Sequence, residues 1–184
     1  MGAGRERTAG PTAASVTAVD SDAAPTGPYI GVIGSGTTDP ALDATAAEVG
    51  RAVASVGAIV VCGGLGGVME AACRGAREAG GVTIGILPGD DRRSANPHVT
   101  IAIPTGMGEM RNALIVRTVD AIIAVGGEYG TLSEIALARR VGVPVVGLAT
   151  WTLTRLDGTP DDLVRASSVE EAVQLAVAAI TDRG

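Results

Sequence analysis

The sequence predicts an α/β fold, because short β-branched runs alternate with segments of helical pattern. Runs such as 58–62 and 120–125 are almost wholly apolar, as strands buried on both faces of a parallel sheet are. The segments between them carry apolar residues at helical spacing. Strands and helices alternating in this way form right-handed βαβ units. We therefore predict a single Rossmann-like domain with a doubly wound parallel sheet over residues 28–184.

The first half of this domain contains two predicted helices. The first begins at Asp39-Pro40, an N-cap followed by the proline that the first helical position favours, and ends at Gly57. The second covers 68–79 and ends at a pair of glycines. The strands of this half are predicted at 29–33, 58–62, 82–87 and 99–103.

The second half contains three predicted helices. One spans about 110–118, and another spans 132–140 with two arginines in its last turn, where positive charge complements the helix dipole. Ser167 or Ser168 caps the last helix, with glutamates at capping-box spacing. Strands are predicted at 120–125 and 144–148, with a short seventh strand near 163–166.

Residues 1–27 differ in composition from the rest of the chain. They are rich in Ala, Thr, Ser, Gly and Pro, with few large apolar residues. Such a segment cannot bury enough apolar surface to offset the entropy lost on ordering. We predict a disordered tail over 1–27.

The charged residues exclude several classes of protein. The formal net charge is −6, which disfavours binding to nucleic acid or to an anionic membrane surface. All 14 basic residues are arginine, so a lysine Schiff base and a Walker A phosphate loop are both excluded. No apolar run is long enough to span a membrane, and no secretory signal is evident at the N-terminus. A cytoplasmic protein is expected.

Cys62 and Cys73 lie eleven positions apart, a spacing that fits neither a CxxC redox pair nor a zinc ribbon. Both lie in apolar stretches, which indicates core packing. The chain has one histidine, His98, and no cluster of Cys and His. Neither a metal site nor a cofactor is expected.

Glycine clusters follow three of the predicted strands. In parallel sheets, ligands bind at the carboxyl ends of the strands, and glycines there let the backbone N–H groups approach an anion. Ordinary tight turns would explain any one cluster, but three at one sheet edge favour an anion site. A dinucleotide dehydrogenase is disfavoured, because the pattern GxGxxG is incomplete and no acid follows the second strand. The clusters are Gly34-Ser35-Gly36, the set Gly63, Gly64, Gly66 and Gly67, and the pair Gly126-Gly127.

The segment from Arg111 to Glu134 resembles the Lonely Guy (LOG) family. That family hydrolyses the N-glycosidic bond of nucleoside 5′-monophosphates, and its hallmark is an Arg-Lys pair on a helix followed by PGGxGTxxE. By this resemblance, Arg111 and Glu134 correspond to the functional arginine and glutamate. Four further residues match the loop, with the tyrosine at its variable position: Gly127, Tyr129, Gly130 and Thr131.

Three positions depart from the family pattern. Gly126 replaces the proline, Asn112 the lysine and Glu128 the second glycine. With these departures, the chain resembles a sister group of uncharacterised nucleotide-binding proteins, which is itself similar to molybdenum-cofactor carrier proteins. The resemblance covers residues 29–148 and implies a homodimer or larger homo-oligomer.

Two functions stay open. The first is a phosphoribohydrolase that splits a nucleoside 5′-monophosphate into base and ribose 5-phosphate, with Arg111 and Glu134 as catalytic residues. The second is a carrier that holds a nucleotide or molybdenum cofactor without hydrolysing it. In both, a small-molecule ligand binds at the three glycine clusters together with Asn112, Tyr129, Gly130 and Thr131.

Three side chains have alternative interpretations. Glu134 is also placed to be the capping-box partner of Thr131, and Arg111 to be a surface arginine. Glu128, a carboxylate beside a phosphate site, requires a compensating cation, turns outward, or selects a less anionic ligand. Arg111 and Arg117 are the candidates for that cation.

Overall fold

The computed structural model describes residue 1 and residues 26–182, which form a seven-stranded sheet in which every pairing is parallel. The predicted tail falls almost wholly on residues 2–25, outside the described residues. The strands run in the order β4-β3-β2-β1-β5-β6-β7. They are β1 Tyr29–Gly34, β2 Ile59–Cys62, β3 Thr83–Leu87, β4 Ile101–Pro104, β5 Ala121–Val125, β6 Val145–Leu148 and β7 Val164–Arg165.

Helices cover both faces of the sheet, which confirms the predicted fold class. Three of them, α1, α2 and α5, share one apolar core with the sheet, and α3 and α4 share the core on the other face. The helices are α1 Pro40–Ser55, α2 Val68–Glu78, α3 Asn112–Thr118, α4 Tyr129–Val141 and α5 Val169–Thr181.

Burial on both faces explains the apolar strands. In β1, Ile30 and Val32 face the α1 side, while Ile33 packs on the α3–α4 side. All residues of β2, β3 and β5 are buried. A strand enclosed on both faces favours apolar side chains, which is why these runs are almost wholly apolar. The exception is Thr83 in β3, whose buried hydroxyl donates to the His98 carbonyl oxygen.

The direction of winding changes between β1 and β5. From β1 the chain builds outward through β2, β3 and β4, and then returns to place β5 on the other side of β1. Gly34 pairs with Val125 at the carboxyl ends of these two strands. A Cβ at Gly34 would lie 2.5 Å from the Val125 carbonyl oxygen, so the close approach requires glycine here. Such a reversal opens a crevice at the carboxyl edge of the sheet.

Several boundaries differ from the prediction. Helix α4 begins at Tyr129, earlier than the predicted 132, because its first turn is polar and the apolar repeat starts only afterwards. Arg111 ends a 3₁₀ turn, Gly108–Arg111, and the α-helix starts at the next residue. Strand β4 begins two residues later than predicted. Ser168 caps α5 by accepting a hydrogen bond from the Glu171 N–H.

Within the described part of the chain, every helix is too short or too polar to cross a lipid bilayer.

Candidate functional site

A cavity of about 530 Å³ opens at the carboxyl edge of the sheet, where β1 and β5 diverge. Its floor is formed by the ends of β1 and β2, and its walls by the starts of α3 and α4. Nine of the predicted site residues line it: Gly34, Gly36, Gly63, Arg111, Asn112, Tyr129, Gly130, Thr131 and Glu134.

The other predicted site residues lie close to lining residues in the chain but do not themselves line the cavity. Ser35, Gly64, Gly66, Gly67, Gly126 and Gly127 lie in the same loops but are not lining residues. Gly126 and Gly127 adopt positive φ angles of 57° and 117°, which turn the chain from β5 into α4. At Gly127 a Cβ would also lie 2.5 Å from the Thr131 Cβ. These glycines shape the loops rather than provide contact surface.

The N-terminus of α4 points its unpaired N–H groups at the cavity. In the first turn of an α-helix, backbone N–H groups have no partner within the helix. Glu128 is the N-cap, and its side chain does not cap this helix. Gly130 and Thr131 line the cavity within this turn, and a Cβ at Gly130 would meet no protein atom within 4 Å. A helix start with this open approach is suited to an anion such as phosphate.

Glu128 is held by Ser35 rather than by an arginine. The Ser35 hydroxyl donates a 2.8 Å hydrogen bond to Glu128 Oε1. Ser35 Oγ in turn accepts a hydrogen bond from the Thr37 N–H. Among the described residues, Glu128 forms no ion pair, so the predicted compensation by Arg111 or Arg117 is not seen. The carboxylate instead lies on the exposed side of the loop and links the β1 loop to the start of α4.

Arg111 is a cavity-wall residue and not a surface arginine. Its side chain is 11% exposed, and its guanidinium lies over the backbone of Gly63, where a Cβ would come within 2.6 Å of Nη2. Nη1 donates to the Asn112 side-chain oxygen. Nε is buried and has no hydrogen-bond partner among the described residues. A buried donor without an acceptor is costly, and a bound anion would supply that acceptor.

Glu134 lies beside Arg111 in the cavity lining. Its Oε1 is 3.8 Å from Arg111 Nη1, and its side chain is 8% exposed. Burial raises the pKa of Glu134 to about 7, although the nearby Arg111 charge acts in the other direction. Burial also lowers the pKa of Arg111. The pair is too long for a hydrogen bond, so desolvation outweighs the attraction between the two charges.

The capping-box interpretation of Glu134 is wrong. Helix α4 starts at Tyr129, so Thr131 lies inside its first turn and is not the N-cap. Glu134 therefore belongs to the second turn and faces the cavity.

An aromatic pair lies at the mouth of the cavity. The rings of Tyr129 and Trp151 have centroids 5.6 Å apart and are tilted by 42°. The Trp151 indole N–H donates a 3.2 Å hydrogen bond to the Glu128 carbonyl oxygen. Tyr129 remains 80% exposed, so one face is free for a planar ligand. Sequence reasoning did not place Trp151 at the site, because it lies in a loop after β6 without a motif around it.

Further lining residues also escaped sequence analysis. Glu109 lies two residues before Arg111, and Ser133 directly precedes Glu134. Leu65, Met69 and Pro88 add apolar surface to the cavity. Leu65 and Met69 follow the glycines after β2, and Pro88 follows β3, so their place at the carboxyl edge of the sheet was the available signal. The described residues contain no group of three or more His, Cys, Asp or Glu side chains placed to hold a metal ion.

Comparison with known proteins yields one matching family model and several similar structures. The family model described as SLOG cluster4 family matches residues 27–176. An uncharacterised protein of Archaeoglobus fulgidus is 46% identical over 138 residues, which cover 73% of this chain and 91% of that protein.

The similar solved structures include those of two proteins that are named for molybdenum cofactor. The molybdenum cofactor binding protein of Rippkaea orientalis is 36% identical, with a TM-score of 0.75, over 84% of this chain and 98% of that chain. The Moco carrier protein of Chlamydomonas reinhardtii is 34% identical, with a TM-score of 0.73, over 85% and 99% of the respective chains.

Proposed function

Because the chain belongs to the SLOG cluster4 family, we propose that it is a carrier which binds molybdenum cofactor, or a similar phosphate-bearing ligand, in the cavity at the β1–β5 edge. The observation that carries the proposal is the match in sequence and fold with two solved structures that are named for molybdenum cofactor. Those proteins match almost their whole length, and their names state the same cargo. Superfamily membership also agrees with the resemblance found in the sequence.

The phosphate of the cargo is assigned to the start of α4. The unpaired N–H groups of the first turn and the helix dipole attract an anion there. Arg111 adds a guanidinium whose buried Nε lacks an acceptor among the described residues. The cavity volume of about 530 Å³ is within the range of small-molecule sites. The exposed ring of Tyr129 offers a flat surface for a pterin or base.

Loading with the cofactor tests this proposal directly. Molybdenum cofactor released from a purified molybdoenzyme is mixed with the protein, unbound material is removed by gel filtration, and the retained pterin is oxidised and measured by fluorescence. We expect wild-type protein to retain pterin and Gly130→Val protein to lose most of it. Gly89→Val is the matched control, since a Cβ there also meets nothing within 4 Å and Gly89 does not line the cavity. Equal retention by wild type and Gly130→Val would refute the assigned site.

A second function is favoured by the pair Arg111 and Glu134. A buried carboxyl group whose pKa is about 7 has the value that general acid–base catalysis requires near neutral pH. In N-glycosidic hydrolysis, water adds to the anomeric carbon, the bond to the base breaks and the base leaves with a proton. Ionised Glu134 would stabilise the positive charge that develops on the ribose, and Arg111 would hold the phosphate or ribose.

The two functions are separated by product analysis. Purified protein is incubated with AMP, GMP and cytokinin ribotides, and free base is measured by chromatography. A hydrolase releases base, and Glu134→Gln reduces turnover by on the order of 10²-fold while nucleotide affinity is largely kept. A carrier releases no base from any of these nucleotides, yet retains pterin in the loading experiment.

A further inference from the structure

Two free cysteines meet behind the cavity floor. Cys62 ends β2, Cys73 lies in the middle of α2, and their sulfur atoms are 3.4 Å apart. Both side chains are fully buried. The two sulfurs of a disulfide are about 2.05 Å apart, so the pair needs to close by only roughly 1.3 Å to form one. Neither proposed function uses these thiols.

The two sulfurs differ in their surroundings. The hydrogen bond from the Cys62 thiol lowers the pKa of Cys73, and the same contact, with burial, raises the pKa of Cys62. The side chains of Asn96 and Thr83 also favour the Cys73 thiolate. Cys73 is therefore the nucleophilic member of the pair and Cys62 the member that retains its proton.

The pair is connected to the cavity through Gly63. This residue follows Cys62 directly, lines the cavity and lies under the Arg111 guanidinium. Arg111 experiences the negative charges of Glu134, of the Cys62 thiol when ionised, and of Glu109. The dithiol therefore lies directly behind the part of the cavity lining that carries Arg111 and Glu134.

We propose that Cys62 and Cys73 are a reversible modification site, at which hydrogen peroxide forms an intramolecular disulfide behind the cavity floor. The Cys73 thiolate attacks one peroxide oxygen, the O–O bond breaks and hydroxide leaves, which produces a sulfenic acid. The hydroxide takes up the proton that Cys73 released on ionising and becomes water. Cys62 then attacks that sulfur, the S–S bond forms, the S–O bond breaks and a second water leaves. Two thiols are oxidised to one disulfide while one peroxide is reduced to two waters.

Intact-mass measurement tests the covalent step without any ligand. The folded full chain is treated with hydrogen peroxide, alkylated under denaturing conditions and weighed. We expect both alkylation sites to disappear, with a loss of two hydrogen atoms that dithiothreitol reverses. In Cys62→Ser protein, Cys73 should instead gain oxygen, since no second thiol resolves the sulfenic acid. Persistence of two alkylatable thiols in wild type, or added oxygen in place of a disulfide, would overturn the proposal.

Discussion

The Glu134 carboxylate lies 3.8 Å from the Arg111 guanidinium, and both groups are almost completely buried in the cavity wall. At this distance the two groups do not form a hydrogen bond with each other. The site therefore holds a buried cation beside a carboxyl group that is protonated over part of the neutral range. This relationship determines several measurable properties of the protein.

Stability should fall between about pH 4 and pH 8 because of Glu134. Its pKa is about 7 in the folded protein and ordinarily 4.5, so between these values the folded state holds a proton that the unfolded chain has released. The stability that Glu134 contributes is fully present below pH 4.5 and is lost as the pH rises through about 7. Relative to Glu134→Gln, wild type should lose up to about 3 kcal/mol over this interval.

Urea unfolding of both proteins at several pH values measures this difference. The other titrating groups are common to the two proteins and largely cancel. Parallel stability curves for wild type and Glu134→Gln would show that Glu134 ionises normally.

Replacing Arg111 should weaken anion binding more than it weakens the fold. Arg111→Lys keeps the positive charge but loses the planar donor group and its buried Nε. We expect the affinity for AMP or another phosphate-bearing probe to fall about 10-fold in Arg111→Lys and further in Arg111→Ala. Isothermal titration calorimetry measures both. Arg117→Lys is the control, since Arg117 lies at the far end of α3 and does not line the cavity.

Gly130→Val should abolish phosphate binding and leave the protein folded. A side chain at this position enters open cavity space and meets no protein atom within 4 Å. It would block the approach of an anion to the first turn of α4. Circular dichroism and thermal melting check the fold, and calorimetry with AMP checks binding. A well-folded variant with wild-type affinity would place the anion site elsewhere.

Ligand binding should change the fluorescence of Trp151. The chain contains one tryptophan, so its emission reports on one position. Its ring centroid is 5.6 Å from that of Tyr129, whose free face is proposed to receive the planar part of the ligand. Titration with AMP should shift or quench the emission, and Tyr129→Leu should reduce both the signal and the affinity. Tyr29→Leu serves as the control, because Tyr29 lies at the opposite end of β1. If calorimetry detects binding but the Trp151 emission does not change, the ligand does not reach this aromatic pair.

Much of the fold could be predicted from local patterns. Strands buried on both faces must be apolar along their length, and β2 and β5 show this directly in their sequences. The proline after Asp39 and the serine before α5 mark helix starts by the chemistry of their caps. Boundaries were less accurate at α4, where a polar first turn hides the start of the helix.

The sequence by itself determined the class of fold and the loops at the sheet edge, since each depends on residues close together in the chain. The proposed roles of the side chains at 111 and 134 came from the resemblance to a known family. Only the tertiary structure decided which distant groups meet. It placed Ser35 against Glu128, Trp151 against Tyr129 and Cys62 against Cys73. It also buried Glu134, which raises its pKa. Contact and burial depend on how strands are ordered and helices packed, and residue spacing carries no direct record of either.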